Sequence, residues 1–271
     1  MICAGSRRRR YLGLAAWSGL WLLVLAACVH IPETGKTAFI LLSPQEEAAL
    51  GAQAFSDLKR QGKVSSDPAV NARVQRVANR LIQQVDVPTA RWEVVVFDDP
   101  SPNAFALPGG KIGVHTGILP ITENDAGLAT VLGHELAHVT LRHGAQRFSQ
   151  QAALALGGQT LALAMQQQEQ RTTQLALAAF GVGSTLFVAL PFSRSQEIEA
   201  DQVGLRYMAR AGYDPKEALA FWRRMASYAQ RQGGRPPEWL STHPADENRL
   251  SAIYQMLPMA EMEYQRAVGG G

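Results

Sequence analysis

His134-Glu135-Leu136-Ala137-His138 sets two imidazoles four residues apart around a carboxylate. On a helix, residues four apart differ by about 40° in direction, so both rings approach one metal ion from the same face. Glu135 stands about 100° from His134, within reach of a water beside that metal. Peptide hydrolysis uses this set: a metal polarises the carbonyl, and a carboxylate takes the water's proton and hands one to the departing amine. Leu128, Val131, Leu132, Leu136, Val139 and Leu141 surround the motif with apolar surface, where unpaired imidazoles are costly, so a metal is favoured over a polar cluster.

A catalytic zinc site generally takes three protein ligands and keeps one position open. Leu141 and Gly144 stand where an HExxHxxGxxH pattern needs glycine and histidine, so that pattern is excluded. His143 lies about 140° around the helix from His138, on the wrong face for a ligand. It is expected near the helix C-terminus, where a cation suits the dipole. The third ligand must therefore come from another segment. Ser193-Arg194-Ser195-Gln196 is a capping-box pattern opening a helix on which Glu197 and Asp201 share a face and Glu199 points nearly opposite. A zinc-bound Glu197, with Asp201 accepting the N–H of a zinc histidine, would relieve the repulsion between the two carboxylates. A solvated acidic face paired with Arg194 or Arg206 is the alternative.

These residues need elements to hold them. Asn124-Asp125 caps a helix expected over Ala126 to Arg142. Ser43-Pro44-Gln45-Glu46 opens a helix to about Arg60, and Asp67-Pro68 opens another to about Val85, each with an apolar face. Trp92 to Phe97 reads as a strand, and Asn103-Ala104-Phe105-Ala106-Leu107 and Lys111 to His115 as two more around Pro108-Gly109-Gly110. The fold class is α+β, helices around a small sheet. Unpaired backbone groups on Asn103, Ala104, Phe105 and Ala106 can take an extended peptide as an added strand, or the segment can be a plain structural hairpin. His243, before Pro244, sits on a loop and can donate to an oxyanion or fill the fourth zinc position in a latent state; Arg249 can support the same oxyanion or pair with a carboxylate.

Taken together, these motifs resemble the zincin-like family of membrane-associated and envelope gluzincins that includes the CAAX-processing prenyl protease, HtpX, mitochondrial Oma and envelope lipoproteins of the BepA and LoiP type. The likeness covers about Pro44 to Leu250 and rests on Asn103 to Gly110, the HExxH, Ser193-Arg194 with Glu197 to Asp201, Ala211-Gly212-Tyr213-Asp214-Pro215, and Thr242-His243-Pro244 with Arg249. It implies one zinc per chain, His134, His138 and Glu197 as ligands, Asp201 supporting a ligand, Glu135 as general base, and the Asn103 segment as a substrate-binding edge strand. The pattern departs in having no multi-helix membrane region. Only 21 residues follow Leu250, fewer than a repeat of about 34 residues, so tandem repeats are not expected.

Of 271 residues, 46% are apolar and 18% charged, the composition of a globular protein. Four of the 26 basic residues are Arg7 to Arg10, and no acidic residue precedes Glu33. Beyond residue 27 the balance is 22 basic against 23 acidic side chains, which argues against nucleic-acid binding. Residues 1–27 read as an export signal, with a basic start, an apolar run from Leu12 to Leu25, and Leu25-Ala26-Ala27-Cys28, which resembles a lipobox. Lipidated Cys28 followed by Val29 implies anchoring in the cell envelope, at the periplasmic face of the outer membrane. Residues 28–42 are expected to be a tether and 43–271 the peptidase domain. Leu175 to Leu190 is almost wholly small or apolar but would span only about 24 Å as a helix, so a buried helix is expected, with membrane contact as the other reading. The function read from the sequence is zinc-dependent cleavage of unfolded or misassembled envelope proteins. The competing class is a lipid-tethered assembly factor or chaperone-like binder whose zinc is structural or latent.

Overall fold

The computed structural model of the chain describes residues 28–165, 192–233, 237–244 and 247–270. The export signal at 1–27 and the apolar stretch at 175–190 fall outside the described residues.

A three-stranded sheet is the plate on which the helices are laid: β3 (Glu93–Phe97), β4 (Ala104–Leu107) and β5 (Lys111–His115), in the order β3-β5-β4. β5 runs parallel to β3 and antiparallel to β4, so β4 is an edge. Gly109 and Gly110 take φ of 79° and 81° in the β4–β5 turn, angles that side-chain-bearing residues adopt at a cost. Strand alternation gives the sheet two apolar faces. Phe97, Phe105 and Leu107 meet Phe55 of α1 (Pro44–Gln61) on one side. Val96, Ala104, Ile112 and Val114 join the main core on the other, with Val74, Val77 and Leu81 of α2 (Pro68–Ile82) and Leu128, Leu132 and Leu136 of α4.

α4 (Asp125–Thr140) follows the single turn α3 (Leu119–Thr122) and is capped by the Asn124 side chain accepting from the Gly127 N–H at 2.8 Å. It ends at Thr140, two residues short of the expected Arg142. Arg142 has φ of 56°, and the chain turns there into α5 (His143–Met165). That left-handed residue costs about 1 kcal/mol or more. Its guanidinium is anchored by donating to Glu47 Oε1 from Nε at 2.9 Å and to the Leu42 carbonyl at 3.0 Å. α6 (Arg194–Arg210) opens on the expected capping box, with Ser193 and Gln196 bonding reciprocally. α7 (Glu217–Arg231), the short α8 (Glu238–Thr242) and α9 (Glu247–Gly269) complete the described helices.

The structure differs from the expected tether over 28–42. β1 (Cys28–Ile31) and β2 (Lys36–Phe39) form an antiparallel hairpin, and Ile31 and Ile40 are buried in the main core. Pro32 and Gly35 lie in the turn, where Gly35 has φ of 68°. Among the described residues no helix is long and apolar enough to cross a membrane.

Candidate metal centre

α4 and α6 cross where each has a glycine. A Cβ on Gly204 would lie 2.7 Å from the carbonyl carbon of Gly133 and from the amide nitrogen of His134. That backbone-to-backbone approach brings one turn of α4 against one turn of α6, with His134 and His138 on one helix facing Glu197 and Asp201 on the other. All four side chains are buried.

Their donor atoms converge. The Nε2 atoms of His134 and His138 are 3.0 Å apart, and each lies 3.4 Å from an oxygen of Glu197. Zinc–ligand bonds of about 2.0–2.1 Å in a tetrahedron separate donors by about 3.3 Å, close to this triangle. The outer hydrogen bonds point the same way. His134 Nδ1 faces Asp201 Oδ1 at 2.9 Å and His138 Nδ1 faces His143 Nδ1 at 2.9 Å, so neutral rings donating outward turn two lone pairs toward each other. A cation between them resolves that contact, and the residues fit zinc.

Burial would lower the His134 pKa, but the carboxylates of Asp201 and Glu197 raise it to about 9. His138, with the same burial and less compensation, falls well below its ordinary value. Burial opposes the Glu197 charge too, yet His243 and His134 hold its carboxyl well below the usual range. Asp201 is lowered against its burial chiefly by Arg249.

The other expected site residues are gathered around this triangle. His243 lies among the candidate ligands: its Nδ1 is 3.0 Å from Glu197 Oε1 and 3.2 Å from His134 Nε2, and the four residues, which could together hold a metal ion, have donor atoms within 4.8 Å of one another. Its Nε2 lies 3.4 Å from Glu135 Oε1. Arg249 takes the carboxylate-pairing option, donating to both oxygens of Asp201 at 2.7 and 2.8 Å and lying 2.6 Å from Glu197 Oε2. It also donates to the carbonyls of His243 and Pro244, tying the His243 loop to α6. Asn103 is buried, and its carbonyl accepts from the His115 N–H at 2.9 Å. By alternation Asn103, Phe105 and Leu107 turn their peptide groups to β5, whereas Ala104 and Ala106 turn theirs to the open edge. A solvated acidic face on α6 does not fit, since Glu197 and Asp201 are both buried, and Arg206 donates to Glu263 instead.

Trp239, Phe192 and His143 complete the surroundings without having been singled out as parts of the site. Trp239, 1% exposed, donates from Nε1 to Glu135 Oε1 at 2.8 Å, and its backbone N–H bonds the Pro102 carbonyl, joining α8 to the segment before β4. The Phe192 ring stacks on His138 with centroids 3.9 Å apart. His143 was expected as a cation at a helix C-terminus. The break at Arg142 puts it instead at the start of α5, wholly buried, with its pKa lowered by that burial. Only a Trp near the His243 motif hinted at these partners, because sequence phase does not cross a helix break.

The family model of peptidase family M48 matches residues 68–257. The mitochondrial metalloendopeptidase OMA1 of Saccharomyces cerevisiae is 33% identical over 276 residues, covering 96% of this chain and 77% of that protein. OMA1 of Schizosaccharomyces pombe is 39% identical over 194 residues, 70% of this chain and 54% of the relative. The beta-barrel assembly-enhancing protease of Escherichia coli is 29% identical over 240 residues, 84% of this chain and 48% of the relative. The chain thus spans about half the length of the latter two. Mitochondrial as well as bacterial proteins share its pattern.

Proposed function

The chain belongs to peptidase family M48, and from that premise we propose that it is a zinc-dependent endopeptidase acting on unfolded or misassembled proteins of the cell envelope. The observation that carries this reading is the donor triangle of His134, His138 and Glu197 with the Glu135 carboxylate beside it. A zinc ion held by His134, His138 and Glu197 would supply Lewis acidity toward the scissile carbonyl and the attacking water. Glu135 accepts the water's proton and returns it to the leaving amine. The outward peptide groups of Ala104 and Ala106 hold an extended substrate by backbone hydrogen bonds, a recognition mode open to many unfolded sequences.

The arrangement described here is a resting one. His243 lies at the fourth donor position, and Trp239 donates to Glu135 Oε1. Cys28, exposed at the start of β1, supports the lipid-anchored reading because an acyl chain there would not disturb the core.

Glu135→Gln tests the function. The variant should keep zinc and lose about 10²- to 10⁴-fold in turnover of an unfolded protein substrate. Undiminished proteolysis by the pure variant would overturn the assignment.

A further inference from the structure

His138 is held from behind by a row of three side chains, His143, Glu199 and Lys36. His138 Nδ1 lies 2.9 Å from His143 Nδ1, His143 Nε2 lies 3.3 Å from Glu199 Oε2, and Glu199 Oε1 accepts from Lys36 Nζ on β2. His143 is 0% exposed and Glu199 is 19% exposed at its side chain, while Lys36 reaches the surface. We propose that His143 and Glu199 are positioning residues for the zinc ligand His138, a two-step relay that fixes its tautomer and orients its ring.

The inference rests on the zinc reading, and the proton positions follow from it. A neutral imidazole bound to zinc through Nε2 carries its proton on Nδ1. His138 therefore donates to His143 Nδ1, which must be a bare acceptor. The His143 proton is then on Nε2, where it donates to Glu199, and Glu199 is an acceptor toward Lys36 as well. Each donor in the row meets an acceptor in one direction only. His134 has the ordinary one-step version, donating directly to Asp201. For His138 the carboxylate stands one ring further away, because the helix break at Arg142 inserts His143 between α4 and α6. Glu199, which faces away from the metal, thereby acts on it through two imidazoles, and the β1–β2 hairpin contributes the last charge.

Zinc alone, titrated against a chelator into the wild-type chain and its variants, tests the relay. His143→Leu should weaken zinc by about 10- to 100-fold, and His143→Gln, which keeps an acceptor and a donor, should recover part of that loss. Glu199→Gln still accepts from His143 and should lose less than His143→Leu. The metal-free melting temperatures of the same variants distinguish positioning from folding: a purely structural His143 would lower them and leave the affinity of the folded chain unchanged. Nitrogen-15 histidine spectra of the zinc-loaded wild type should give the Nε2–H tautomer for His143, which keeps the test decisive if His143→Leu does not fold. An Nδ1–H tautomer, or full zinc affinity in folded His143→Leu, overturns the relay while zinc binding by the wild type stands. A wild-type chain that takes up no zinc overturns the site reading and the relay together.

Discussion

Glu197 and Asp201 show how two carboxylates on one helix face acquire different work. Glu197 presents oxygens to both His134 and His138 at 3.4 Å, whereas Asp201 accepts from His134 on one side and from the fork of Arg249 on the other. Glu197→Gln replaces an anionic ligand with a neutral one and should weaken zinc severely, by more than Asp201→Asn, for which a loss of about 10- to 100-fold is expected. Chelator competition on the two variants gives the order, and an Asp201→Asn effect larger than that of Glu197→Gln would reverse the roles. Arg249 makes this pair possible: its guanidinium, 1% exposed, compensates two buried carboxylates and pins the loop carrying His243.

The elements matter through how closely they meet. α4 and α6 touch backbone to backbone at Gly133 and Gly204, and Tyr207 further along α6 donates to Thr140 at 3.0 Å. Gly204→Ala should help an isolated helix by up to about 1 kcal/mol yet push these two apart at the turn that carries His134. Overpacking of this kind costs about 1–3 kcal/mol. A lower melting temperature with a zinc affinity reduced in the folded protein is the expected result, and a variant as stable and as tight as wild type would mean that the helices have slack. β4 is tested separately. Ala106→Pro removes an outward N–H without touching the ladder to β5, a position where an edge strand tolerates proline. The Michaelis constant for an unfolded substrate should rise several-fold with little change in melting temperature; an unchanged value would remove β4 from substrate binding.

For the whole molecule, the start of the described chain joins the peptidase body. The β1–β2 hairpin buries Ile31 against the core and reaches the metal site through Lys36, while Cys28 stays at the surface. A lipid on Cys28 would therefore hold the catalytic body close to the membrane rather than on a long leash. Cys28→Ala should release the protein from the membrane fraction and remove the mass of the acyl groups, with activity on a soluble unfolded substrate preserved. Membrane fractionation and intact mass decide it, and no change in either would rule out the anchor.

The metallopeptidase motif and most of the elements were legible in the residues alone. HExxH encodes its own geometry, since spacing on one helix fixes which side chains share a face, and the caps at Ser43, Asp67, Asn124 and Ser193 fix where helices begin. Helical phase also placed Glu197 with Asp201 and sent Glu199 away. Where the argument had to leave one element, sequence ran out. The hairpin at 28–39 has too few residues for a period to emerge, and its burial depends on a core built elsewhere. His143 was misplaced because Arg142 adopts a left-handed backbone that is stabilised by Glu47, 95 residues earlier. Trp239 on Glu135, His243 at the ligands and Arg249 on Asp201 are likewise meetings of distant segments. Such pairings arise only when packing brings together groups whose desolvation each requires a partner, and no local pattern records which partner that will be.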